Sequence, residues 1–476
     1  MTQSKNPRIE NPGRRRLLAG LAAAPAVAAG LSGCDSGRDD GRDAAPQPPA
    51  GKTLPPPDSS GIDHFVVVMM ENRSFDHFLG WVPGADGIQA GARYADAKGR
   101  TIETFRLSGD PAYGYQGCGK EDPNHGYDGG RTHFNGGRMD GFLKTVGEAS
   151  VDSDHFPVGY YSREDLPFFA GCADHWTICD HYFHGILAST FPNRVYLHAG
   201  QTDRSSNSVT TSSLETIWDR LDAAGLSGRY YFHDLPVTAL WGAKYLTRST
   251  RFEQFLVEAA LGTLPNVSFI DPRFVGEAPN GVSNDDHPQA DVRNGQSFLN
   301  SIYDAVRNSP QWERTLMVVV YDEWGGFYDH VAPPTGPVSE AEAALPNDGR
   351  LGFRVPCVLI GPRAQQQVCD LQLDVNSVLN MICWRWNLPP LGPRGEWSLN
   401  MAYALDFDSE PRVDAPAFDV GLGPYGVECT TGLPLPIPQL PGSIGKLTPA
   451  QLKQMQHNLE WIELGQVARA HGFALD

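Results

Sequence analysis

Residues 65–77 read FVVVMMENRSFDH and residues 315–330 read TLMVVVYDEWGGFYDH. In the first, an apolar run from Phe65 to Met70 is followed at once by Glu71 and Asn72. In the second, Leu316 to Tyr321 run apolar and Asp322 and Glu323 follow. Short Val-rich runs without polar alternation are the pattern of strands buried on both faces, as in mostly parallel sheets. Open α/β sheets bind ligands beyond the carboxyl ends of their strands. Both acidic clusters therefore fall where a metal-assisted site is built.

Working outward, Gly228 to His233, Val267 to Asp271 and Val355 to Gly361 are further strand candidates. Helical patterns cover Leu214 to Ala224, Gly295 to Val306 and the C-terminus, where Thr448 is placed to cap and Pro449 to open the last helix. Strands alternating with helices predict an α/β fold, a central and mostly parallel sheet flanked by helices.

The N-terminus has the layout of an export signal. Arg14, Arg15 and Arg16 precede an apolar stretch from Leu17 to Leu31, too short and too rich in Ala and Gly to span a bilayer comfortably. Leu31-Ser32-Gly33-Cys34 resembles the cleavage site of bacterial lipoproteins, with Cys34 the lipidated residue and the membrane anchor. Ordinary cleavage beside an incidental Cys is the plainer alternative. The expected organisation is a twin-arginine signal over 1–33, a disordered linker over 34–61 and one domain over 62–476, in an exported, periplasmic or membrane-anchored protein. Seven cysteines remain beyond Cys34 and their spacings match no zinc motif. Export permits disulfides, and Cys172 with Cys179 is a candidate pair. The formal net charge of −18 argues against nucleic-acid partners, which need basic surface. A phosphate substrate stays compatible, because a bound cation reverses the local field.

Glu71, Asn72, Asp322 and Glu323 offer oxygen ligands to a hard divalent cation; helix caps and solvated acids are the plainer readings. In ILASTFPNRVYLHAG, residues 186–200, Ser189 and Thr190 offer hydroxyls that a metal could activate as nucleophiles. Arg194 could clamp a phosphate with paired hydrogen bonds. His125, His287 and His330 sit in polar, turn-rich strings and could protonate a leaving group.

Together these segments resemble the bacterial phosphoesterase family that contains phospholipases C and an acid phosphatase. The strings that carry the likeness are MMENRSFDHFLG, FNGGRMDGF, the stretch from Leu166 to Gly200, NDDHP and YDEWGGFYDHVAPP. The resemblance implies an alkaline-phosphatase-like core and a hydroxyl nucleophile that is phosphorylated and then hydrolysed. On matching positions it makes Thr190 the nucleophile. Glu71, Asn72, Asp322 and Glu323 become ligands of one divalent metal: calcium, magnesium, manganese or zinc. His125 and His287, and less directly His330, lie near the phosphate. The substrate implied is a phosphate mono- or diester, a phospholipid among the candidates. Where many relatives carry Asp-His-Thr-Ser, this chain has Asp374-Val375-Asn376-Ser377. The rival reading is a phosphate-binding lipoprotein on a scaffold without turnover.

Overall fold

The computed structural model describes residues 43–148, 150–274, 283–427 and 449–475, with backbone alone for 449–458. The signal segment, Cys34 and Thr448 lie outside the described residues. Eight strands form the central sheet: β1 His64–Met70, β2 Thr177–Cys179, β3 Gly228–Phe232, β4 Ser249–Arg251, β5 Val267–Ile270, β6 Thr315–Tyr321, β7 Cys357–Ile360 and β8 Gln367–Cys369. Their order is β8-β2-β7-β6-β1-β5-β3-β4. Neighbours run parallel except around β7, which is antiparallel to both β6 and β2. The expected mixed α/β architecture, with a mostly parallel sheet and flanking helices, is the one found.

Burial explains why β1 and β6 lie at the centre. Every residue of β6 and all but His64 of β1 is buried, so each strand needs cover on both faces. The helices Thr190–Ala199, Ile217–Ala223 and Val375–Arg385 pack together, and so do Pro167–His175, Phe252–Leu261 and Val292–Arg307. Alternation along β3 reaches both groups. Tyr230 meets His198 of one, while the next residue, Tyr231, meets Phe255 of the other.

Helix boundaries follow caps that periodicity alone does not place. The expected start at Leu214 moves to Ile217, because Thr216 accepts from the Trp218 N–H and Asp219 completes a capping box. The expected start at Gly295 moves to Val292, because Asp291 accepts from the Arg293 N–H. The C-terminal helix runs from Pro449 to Ala470. Among the described residues, no helix is long and apolar enough to cross a membrane.

Two expectations need correction. The segment 43–61 is no free tether. Lys52 donates to the carbonyls of Tyr403 and Leu405, the Asp43 carboxylate accepts from Thr335, and Ser60 is fully buried. Its Pro-rich composition leaves one short 3-10 turn, Pro57–Ser59, and does not prevent contact. Cys172 and Cys179 are both buried free thiols, one in a helix and one ending β2. Cys118 is disulfide-bonded, and the other described cysteines are free.

Candidate active site

Register builds the centre of the site. β1 and β6 pair in parallel with Met70 opposite Tyr321. The next residues of each strand therefore emerge in step, Glu71 beside Asp322 and Asn72 beside Glu323. Ligand oxygens of Glu71, Asp322 and Glu323 lie within 4.8 Å of one another, and all three residues are buried. The Asn72 N–H donates to Asp322 Oδ1 at 3.1 Å. In the orientation that satisfies it, the Asn72 amide nitrogen donates to Glu71 Oε1, at 3.2 Å, and to Glu323 Oε1. Asn72 holds φ +60°, a left-handed conformation that Asn tolerates better than most residues. Against it stands Gly325, also at positive φ, where a Cβ would fall 2.0 Å from the Asn72 carbonyl oxygen. Only glycine fits there.

Thr190 opens a helix buried along its whole length. Its Oγ1 donates to Glu71 Oε1 at 2.6 Å, so the hydroxyl stands against the carboxylates at the positive end of the helix dipole. Asn193 fixes the preceding loop. Its side-chain oxygen accepts from the Ile186 N–H and faces His184 Nδ1, and its nitrogen donates to the carbonyls of Ala188 and Ser189.

Arg194, one turn beyond Thr190, does not have the form expected of a phosphate clamp. It is 1% exposed and all three guanidinium nitrogens are engaged: Nε and Nη2 with Glu71, Nη1 with Asp271 at 2.9 Å, and Nη2 with the carbonyls of Met69 and Met70. Its geometry is that of an internal counter-ion. Burial opposes its charge, yet Glu71, Asp271 and Asp322 outweigh it and hold the guanidinium firmly protonated. The converse holds for Glu71, where burial raises the pKa but Arg194 and then His287 bring it below the ordinary range.

His287 Nδ1 lies 2.6 Å from Asp285 Oδ2, and its Nε2 3.5 Å from Glu71 Oε1. The Asp285 bond fixes the ring with Nε2 toward the cluster. His125 turns Nδ1 to the Pro123 carbonyl at 2.8 Å and Nε2 to Glu323 at 3.9 Å. His330 is not with them. It bonds Asp76 and Asp86, within a group that Arg354 neutralises through Asp76 and Asp329. In the departing string, Asp374 caps the helix Val375–Arg385, Val375 is buried, and Asn376 donates to the Gly200 carbonyl at the end of the Thr190 helix.

The cluster passes a simple test of fit for a hard cation. Among the described residues, Asp322 Oδ2 is buried without a hydrogen bond, with Arg194 Nε 3.5 Å away. Burial, then repulsion by Glu71, pushes Asp322 well up; burial, then Asp322 and Glu71, does the same to Glu323. Buried carboxylates in excess of their counter-charge, beside an amide, are the donor set of an oxygen-ligated divalent ion. Glu71, Asn72, Asp322 and Glu323 can hold one.

Two acids outside the expected set complete the network. Asp271 receives Arg194 and the Tyr230 hydroxyl, and Asp285 orients His287. The C-terminal helix also reaches the site. Trp461 stacks on Phe274 at 4.3 Å and lies 5.4 Å from Phe191 and 6.2 Å from His287. Glu460 accepts from Asn207, whose side-chain oxygen accepts from the Phe191 N–H.

A buried hydroxyl at a helix start, set against strand-end carboxylates that can hold a cation, defines a hydrolytic centre on an α/β sheet. The profile of the Phosphoesterase family matches residues 62–389, and the chain belongs to that family, hydrolases acting on phosphoric ester bonds. Non-specific phospholipase C1 of Arabidopsis thaliana is 32% identical over 410 residues, covering 77% of this chain and 76% of that protein. Phospholipase C A of Mycobacterium tuberculosis is 29% identical over 392 residues, covering 69% and 73%. Among solved structures, an alkaline phosphatase superfamily protein from Vibrio parahaemolyticus is 10% identical with a TM-score of 0.34, covering 76% of this chain and 72% of that one. Murine ectonucleotide pyrophosphatase/phosphodiesterase 5 is 12% identical with a TM-score of 0.34, covering 51% and 95%.

Proposed function

We propose that the protein is an exported, metal-dependent phosphoesterase of the phospholipase C type, working through a phospho-Thr190 intermediate. The observation that carries this reading is the Thr190 hydroxyl held 2.6 Å from Glu71 within the carboxylate cluster. When bound, a divalent cation would lower the hydroxyl's pKa and neutralise charge on the phosphoryl group. Glu71, Asn72, Asp322 and Glu323 are the residues that would hold it. Their oxygen donors favour calcium, magnesium or manganese, with zinc the less suited.

The chain's own groups account for the rest. Glu71 accepts the Thr190 proton and aims Oγ1. Attack in line forms the Thr–O–P bond and breaks the bond from phosphorus to the leaving alcohol, whose oxygen takes a proton. His287, oriented by Asp285, and His125, facing Glu323, are placed at the cluster to supply it. Water then attacks phosphorus, releases the Thr190 hydroxyl and frees the phosphate product. Two displacements give retention at phosphorus. The named phospholipases C among the relatives support a diester substrate with a lipid leaving group. Arg14 to Arg16 and Cys34 support export and a lipid anchor.

The test compares the wild type with Thr190→Ala and Thr190→Ser on p-nitrophenyl phosphate and p-nitrophenyl phosphorylcholine, with and without EDTA. Turnover of the choline diester, lost by roughly 10³-fold or more in the Ala variant, kept in part by Ser and abolished by EDTA, is expected. Turnover of the monoester alone means a phosphatase. Equal activity in Thr190→Ala refutes the mechanism.

A further inference from the structure

Beyond the carboxyl ends of β3 and β5 lies a cavity of about 450 Å³ that the chemistry above does not use. His233 follows β3 directly. Its ring stacks on Phe252 at 4.4 Å and meets the edge of Phe298 at 5.1 Å, and among the described residues both ring nitrogens are buried without a hydrogen-bond partner. Burial, then Arg273 and Arg251, pushes its pKa down to about 3. The neutral ring therefore offers one donor and one acceptor. Arg273 lines the same cavity half-buried. Among the described residues its guanidinium makes no hydrogen bond or ion pair. Its backbone N–H donates to Asn284 Oδ1 at 2.6 Å, which turns that amide into the cavity wall, and Ser297 adds a hydroxyl.

A guanidinium without a carboxylate, a neutral imidazole without a partner, an amide and a hydroxyl form a complementary set. The first suits a phosphate; the others suit hydroxyl groups, and the apolar rings suit the carbon skeleton between them. We propose that this cavity binds a small polyol phosphate, its phosphate on Arg273 and its hydroxyls at His233 and Asn284. None of its described lining residues belongs to the Thr190 cluster, yet the two are joined through the chain. Asp271, two residues before Arg273, holds Arg194, and Asp285, directly after Asn284, holds His287. The binding site does not depend on the proposed reaction, although the headgroup phosphates released by a phospholipase C belong to this ligand class.

The experiment is calorimetric titration of the full chain, as Thr190→Ala so that nothing turns over, with glycerol 3-phosphate, inorganic phosphate and glycerol. Arg273→Ala and His233→Phe are each added in that background. Arg273→Ala is expected to weaken glycerol 3-phosphate at one class of site by roughly tenfold or more, the loss of a charged hydrogen bond. His233→Phe, which keeps the ring but removes both nitrogens, weakens binding at the same site. Arg273→Ala alone keeps p-nitrophenyl phosphorylcholine turnover and an unchanged melting midpoint. Unaltered binding in both variants overturns the proposal. Equal affinity for inorganic phosphate, with no effect of His233→Phe, overturns the polyol assignment. Loss of turnover in Arg273→Ala overturns the separation from the catalytic centre. An inactive wild type would sink the proposed reaction while leaving these titrations readable.

Discussion

Replacing Arg194 separates a counter-ion from a substrate clamp. The guanidinium balances Glu71 and Asp271 and stands 3.5 Å from Asp322, all buried. Arg194→Met leaves these carboxylates uncompensated, and breaking a buried pair from one side costs about 3–5 kcal/mol. For the unit Arg42–Asp476, at about 2.1 cal/mol/K per residue, the melting entropy is roughly 0.9 kcal/mol/K. The unfolding midpoint should therefore fall by roughly 3–6 °C. Arg194→Lys keeps the charge but cannot span both carboxylates, and should fall in between. Adding Asp271→Asn to Arg194→Met removes one stranded charge and should recover about 1 kcal/mol or more, a coupling expected of direct partners. The assays are thermal unfolding by circular dichroism and steady-state kinetics on p-nitrophenyl phosphorylcholine. An unchanged midpoint with a selectively raised KM would refute the counter-ion reasoning and restore Arg194 to the substrate.

Three further outcomes follow from the same geometry. Asp322→Asn removes one of the crowded buried carboxylates, so the EDTA-treated variant should melt above the EDTA-treated wild type. Saturating divalent metal should stabilise only the wild type, by about 2.7 kcal/mol at a hundredfold excess over Kd, or roughly 3 °C in midpoint; an equal increment in both would remove Asp322 as a ligand. Gly325→Ala drives a methyl into the Asn72 carbonyl and should cost about 1–3 kcal/mol with weaker metal binding by titration; metal affinity equal to wild type would show that Asn72 is not positioned by this contact. Asp286 is raised from an ordinary 3.8 to about 7, by burial foremost. A carboxyl raised on folding contributes stability that is full below the unfolded value and is lost as pH climbs through the folded one. Asp286→Asn should therefore gain on the wild type between pH 5 and pH 8, by a few kcal/mol at order of magnitude. Parallel stability profiles across that range would refute it.

The strands and the carboxylates were legible because one signal carried both: apolar runs stop and acids begin. The same rule reaches Asp271, the last residue of the expected run Val267 to Asp271, but a single acid after a strand names no partner. Asp285 lies inside NDDHP, two residues before His287, where a turn acid and an orienting acid look alike. Arg194 was harder. Its place one turn after Thr190 was visible, whereas its charge partners come from β1, β5 and β6 and exist only once the sheet forms. His330 shares a polar context with His287. What separates them is the ion-pair group around Arg354, made of residues far apart in the chain. The contacts of residues 43–61 were illegible for a related reason, because proline content reports missing secondary structure and is silent about docking.

The pairing of Met70 with Tyr321 has a consequence for how this site tolerates change. The separation of Glu71 from Asp322 is set by the spacing of adjacent strands, a property of backbone hydrogen bonding common to every sequence. Side-chain substitutions within the Val-rich runs can drift while that ruler stays fixed. A one-residue insertion or a bulge in either strand cannot be absorbed in the same way, since a single step of register turns each following side chain to the opposite face. Sequence variation should thus be permissive in composition and strict in length across 65–72 and 316–323, with no insertion or deletion admitted between the first apolar residue and the acid that ends the run.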